Sequence, residues 1–109
     1  MDRENPALKT CMCVEFDPDF FYLIQIYAER SGLRAIHIPR GVDALESARS
    51  ELPAVICLDG DKPAQLTAWD VLKVLKKDPV VLEIPVVFFS WLDEEEHALQ
   101  EGVDVYVQK

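Results

Sequence analysis

The sequence predicts an α/β fold: a doubly wound sheet of five parallel strands in the order 2-1-3-4-5, with helices on both faces. Three observations lead there. Cys11–Val14, Ala54–Leu58 and Pro85–Phe89 are short, continuous apolar runs, the signature of strands buried on both faces, and Val103–Val107 repeats the pattern with Asp104 inside it. The segments between them carry apolar residues at steps of three and four, so strands alternate with helices. Polar residues collect where the runs stop: Glu15 and Asp17 after the first, Asp59 after Leu58, Ser90 after Phe89, Lys109 near the last. In open parallel sheets ligands bind beyond the carboxyl ends of the strands, so these residues mark one candidate site.

The elements follow in order. Asp19 to Ser31 reads as a helix stopped by Gly32, which suits a left-handed cap. Ala35–Ile38 is a short strand closed by Pro39. Val42, Leu45, Ala48 and Leu52 share one face of a second helix. Ala68 to Lys77 makes a third, ended by Asp78-Pro79. Asp93 is placed to cap a fourth, with Glu94 to Glu96 at the positive end of its dipole and Gly102 closing it. Right-handed crossovers put the first and third strands side by side at the switch point, where Glu15, Asp17 and Asp59 are expected to meet.

Composition bounds the function. At 109 residues, half of them hydrophobic, the chain is long enough for one core, so residues 1–109 read as a single domain. Twenty acidic against eleven basic residues give a net charge of −9, which repels phosphate backbones and argues against direct nucleic-acid binding. No apolar run is long enough for a membrane span, and the N-terminus has no basic-then-apolar leader, so a cytoplasmic location is expected. Cys11, Cys13 and Cys57 fall inside buried strands without a further Cys or His pair to complete a zinc site, and read as small hydrophobes.

From Lys9 to Lys109 the chain resembles the receiver domain of two-component response regulators, a CheY-like, flavodoxin-like fold. The resemblance rests on Glu15-Phe16-Asp17, Asp59, Ser90, Tyr106 and Lys109, in order and with the right element between each pair. It implies that Asp59 accepts a phosphoryl group and that Ser90 and Tyr106 form the switch. It implies that Lys109 neutralises charge, and that Mg2+ is held by Glu15, Asp17, Asp59 and the backbone carbonyl of Asp61. In this family the hydroxyl and the aromatic move inward on phosphorylation and remodel the surface of the fourth helix and fifth strand. Implied partners are a sensor histidine kinase or phosphotransfer protein and an output domain or partner protein, with a homodimer as a further expectation.

Departures from the pattern are equally specific. Phe16 stands at the second acid position and offers no oxygen to a hard cation, so Mg2+ binding is expected to be weak and Phe16→Asp to strengthen it at least about tenfold. Trp91 follows Ser90 where the family commonly has a small residue, and is placed either to cover Asp59 or to restrict the phosphodonor. The segment 63–69 is longer than the usual turn, with Ala68 in place of its glycine. The family's fifth helix is absent from the sequence, and the apolar surface it covers is expected beside Tyr106.

Two alternatives accompany this reading. One is a phosphorylation-independent pseudo-receiver, a binding or dimerisation module. The other is a haloacid-dehalogenase-like phosphotransferase, to which the Asp, Ser and Lys are also similar, although that family carries its D-x-D on the first strand.

Overall fold

A computed structural model of the chain describes residues 9–61 and 66–109. Five strands form one sheet in the order β2-β1-β3-β4-β5, every neighbouring pair parallel, as the sequence predicts. They are β1 (Lys9–Val14), β2 (Leu33–Ile38), β3 (Val55–Asp59), β4 (Val86–Ser90) and β5 (Val105–Gln108). The helices are α1 (Pro18–Arg30), α2 (Ala44–Glu51), α3 (Ala68–Lys77) and α4 (Glu95–Gln100). The register sets Asp59 beside Phe89 and Ser90 beside Gln108, so β3, β4 and β5 all end at one edge.

Alternation within each strand divides the core in two. Met12, Val14, Ile56, Leu58, Val86 and Phe88 face α2, α3 and α4, meeting Ala44, Ala48, Leu72, Leu75 and Ala98. Cys11, Cys13, Cys57 and Phe89 face α1, with Phe16 and Ala28. Burying a side chain such as Leu72 or Phe88 contributes roughly 1.5–3 kcal/mol. The two faces are unequally covered. Phe20 and Ile24 of α1 pack on one, but Leu23, Tyr27 and Val105 remain half or more exposed along it.

That asymmetry corrects one expectation. Tyr106 packs on the opposite face, against Phe88, with ring centroids 6.1 Å apart. Period-two alternation puts Val107, not Tyr106, on the thinly covered side, where it joins Phe20, Ile24, Tyr27 and Trp91 around an apolar groove.

Local chemistry moves several boundaries. Pro18 starts α1 because its missing N–H costs nothing at a helix start, and Gly32 follows the helix at φ +80°. Gly41–Asp43 is a single 3₁₀ turn before α2, and Leu52 stops that helix by adopting a left-handed φ of 45°. Thr67 and Asp70 form a reciprocal capping box for α3. Asp93 does not cap α4; Glu94 holds the cap position without a side-chain bond. Val103 is lost from β5 because its N–H closes α4 on the Ala98 carbonyl.

The cysteines are closer than their spacing suggests. Cys57 lies beside Cys13 in register, and its Sγ is 3.6 Å from that of Cys11, which is 3.9 Å from that of Cys13. Hydrogen bonding with Cys11, together with burial, pushes the Cys13 and Cys57 thiols up, so both are protonated near neutrality.

Candidate functional site

Asp59 ends β3 at the C-terminal edge of the sheet and is 6% exposed. Its Oδ1 accepts the Asp61 N–H at 3.0 Å and the Lys109 ammonium at 2.9 Å. Among the described residues, Oδ2 accepts no hydrogen bond. Lys109 follows β5, and its N–H extends the ladder to the Ser90 carbonyl at 2.8 Å. Its Nζ lies 4.8 Å from the centroid of the Phe20 ring and 5.8 Å from that of Trp91. Desolvation alone would lower the Lys109 pKa, but hydrogen bonds and charge from Asp59 and Asp61 outweigh it and hold the ammonium above its ordinary value.

Asp61 enters the site by its side chain as well. Its carboxylate accepts the Ser90 hydroxyl at 3.0 Å, the Trp91 N–H at 2.9 Å and the Lys109 ammonium at 3.1 Å. The sequence assigned only the backbone carbonyl of Asp61 to the site; the aspartate two places after a strand-end aspartate was the available signal. Ser90 also accepts the Leu92 N–H at 3.0 Å. The Tyr106 hydroxyl donates to the Leu92 carbonyl and accepts the Glu94 N–H at 3.2 Å, tying β5 to the entry of α4.

Gly60 permits this closeness. A Cβ there would lie 2.4 Å from Cε1 of the fully buried Phe88 ring. Gly60→Ala is therefore expected to cost about 1–3 kcal/mol and to displace Asp61, read as a lowered urea midpoint and a changed Trp91 amide signal.

The acids after the first strand part company: Glu15 lines a cavity with Asp59, while Asp17 starts a helix. Glu15, at φ 60°, turns its Oε2 to the Gly41 N–H at 2.6 Å. Asp17 is the N-cap of α1, its Oδ1 on the Phe20 N–H at 2.9 Å, and it lines the groove beside Trp91 and Lys109. Phe16 is fully buried, stacked on Phe20 at 5.2 Å and edge-on to Phe89 at 5.5 Å. His37 holds the Phe16 carbonyl at 2.9 Å. Trp91 is 66% exposed and flanks Lys109 rather than sealing Asp59. The loop expected over 63–69 lies partly outside the described residues.

Comparison with known proteins decides the family. The chain is 32% identical over 104 residues to the polar-differentiation response regulator DivK of Brucella anthropi, covering 93% of this chain and 84% of that protein. It belongs to the response regulator receiver family. No family model matches it. Among solved structures, the receiver protein from Methanoculleus marisnigri superimposes with a TM-score of 0.79 at 25% identity, covering 94% of this chain and 85% of that one. The phosphorylated cyanobacterial phytochrome response regulator RcpA gives a TM-score of 0.80 at 27% identity, with 94% and 81% covered. This receiver domain is a module of two-component signalling, and neither the pseudo-receiver nor the dehalogenase-like alternative is favoured.

Receiver domains typically bind magnesium in an acidic pocket, and the residues of this one fit such an ion in part. Glu15 and Asp59 line a cavity of about 10 Å³ together with Val14, Leu58, Leu66 and Val71. Both carboxylates are hard oxygen donors of the kind magnesium takes. Phe16 supplies none, and Asp17 is committed to its helix. Among the described residues, sets of three or more His, Cys, Asp or Glu ligand atoms within 4.8 Å of one another are confined to the three cysteines.

Proposed function

We propose that Asp59 accepts a phosphoryl group from a sensor histidine kinase or phosphotransfer protein in the cytoplasm and that this switches a protein-interaction surface. The observation that carries the proposal is the Asp59 carboxylate itself, held by Lys109 through Oδ1 while Oδ2 is left without a donor among the described residues. An Asp59 oxygen attacks phosphorus, the bond to the donor's leaving group breaks, and its electron pair departs with that group. Lys109 holds the carboxylate in place and offsets charge as the phosphoryl oxygens arrive. Ser90 supplies a hydroxyl to one of those oxygens. Magnesium, when bound by Glu15, Asp59 and the Asp61 carbonyl, supplies the positive charge that lets the anionic groups approach.

The switched surface is the one that joins α4 to β5 through Tyr106. Asp93, Glu94, Glu95 and Glu96 make its border acidic, which suits a partner, an output domain or a second copy presenting Lys or Arg.

Incubation with magnesium and acetyl phosphate, followed by intact mass, tests the proposal. The parent is expected to gain one phosphoryl group and Asp59→Asn to gain none. A gain that survives in Asp59→Asn, or a modified peptide mapped to Asp61, would overturn it.

A further inference from the structure

We propose that the Asp61 carboxylate is a resident stand-in for the phosphoryl group, holding the switch in its inward arrangement until phosphorylation of Asp59 displaces it. The inference rests on the phosphoacceptor reading of Asp59 and deepens it.

The argument begins with the donors. The Ser90 hydroxyl, the Trp91 N–H and the Lys109 ammonium come from the end of β4, the residue after it and the residue after β5. They converge on one carboxylate at 3.0, 2.9 and 3.1 Å. Two neutral donors and a cation focused on one point form an anion site. Ser90 and Lys109 are the groups assigned to phosphoryl oxygens above. Asp61 therefore satisfies in the resting protein the donors that a phosphoryl group needs.

A chain of bonds carries this occupancy to the output surface. Ser90 donates to Asp61 and accepts from Leu92; the Leu92 carbonyl accepts from Tyr106, whose oxygen accepts from Glu94. The Ser90 and Tyr106 hydroxyls are thus both engaged in one chain of bonds whose inner end is a carboxylate. An entering phosphoryl group brings a charge of roughly −2. It cannot share three donors with a second anion, so Asp61 has to leave as it arrives. Two consequences follow. Phosphoryl uptake is slowed by the displacement, and the surface changes less on phosphorylation than it would without Asp61.

Hydrogen exchange provides a readout that a local loop contact would not move. The Glu94 amide and the Tyr106 hydroxyl do not touch Asp61, yet in Asp61→Ala without donor or magnesium the Glu94 amide is expected to exchange at least about tenfold faster. Magnesium with beryllium fluoride, a phosphoryl mimic, should restore slow exchange in the variant and change the parent less than the variant. Uptake from acetyl phosphate should be at least about tenfold faster in the variant.

Acceleration confined to the Trp91 amide, with Glu94 unchanged, would show that Asp61 only braces its loop and would overturn the inference. Equal uptake rates in the two proteins would overturn the displacement. Absence of uptake in both proteins sinks the phosphoacceptor reading instead, while the donor-free exchange contrast still decides the role of Asp61. Asp61→Asn keeps the shape and removes the charge, and serves the same comparison should the alanine variant unfold.

Discussion

Phe16→Asp is expected to destabilise the domain by roughly 3–5 kcal/mol, the range for losing a buried aromatic ring, before any cation is considered. The ring is fully buried between Phe20 and Phe89. An aspartate in that place would put a carboxylate among rings and methylenes, which adds to the cost. From sequence alone the same substitution is expected to strengthen magnesium binding at least about tenfold. The structure reverses the order of effects: the variant must first fold. Urea midpoints with and without millimolar magnesium separate the two. An unfolding free energy within about 1 kcal/mol of the parent in the absence of magnesium would mean that the position tolerates an acid and belongs to the site after all.

Lys109→Met is expected to cost about 3 kcal/mol at neutral pH, because it leaves Asp59 and Asp61 facing each other without their cation. The two side chains of the Lys109–Asp59 pair are 9% and 4% exposed, so solvent screens the loss only partly. The pH dependence has a definite sign. The folded pKa of Lys109 lies above the ordinary lysine value, so its contribution is complete below that value and is lost as pH rises through the folded one. The gap between parent and methionine variant should therefore be constant across neutral pH and close in the alkaline range. Denaturant melts at neutral and strongly alkaline pH provide the measurement; a gap that persists unchanged at high pH would assign the effect to packing.

The legible part of this molecule was whatever depends on chain order and period. Continuous apolar runs located β1, β3 and β4, and the polar residues that interrupt them located Asp59 and Ser90 to the residue. Side-chain direction was another matter. Glu15-Phe16-Asp17 looked like an acid cluster with one member replaced. A left-handed Glu15, a phenyl ring drawn into the core and an aspartate needed as a helix cap scatter the three in different directions. Asp61 was missed as a side chain for the opposite reason. A turn of two residues brings it back over Asp59, and no periodicity records such a reversal. Cys57 joins Cys11 and Cys13 only because β1 and β3 are neighbours; the spacing of the cysteines does not show it.

The placement of Lys109 has a mechanical consequence. It is carried by the edge strand β5, four residues long, paired to β4 alone, with Val105 and Gln108 open to solvent. Short edge strands detach at free energies well below that of global unfolding. Each detachment of β5 withdraws the ammonium from Asp59 and Asp61, and each anion that the ammonium grips in turn clamps the strand. Charge at the site and docking of the sheet's margin are thus one equilibrium, and β5 works as a latch that the site's own anions fasten.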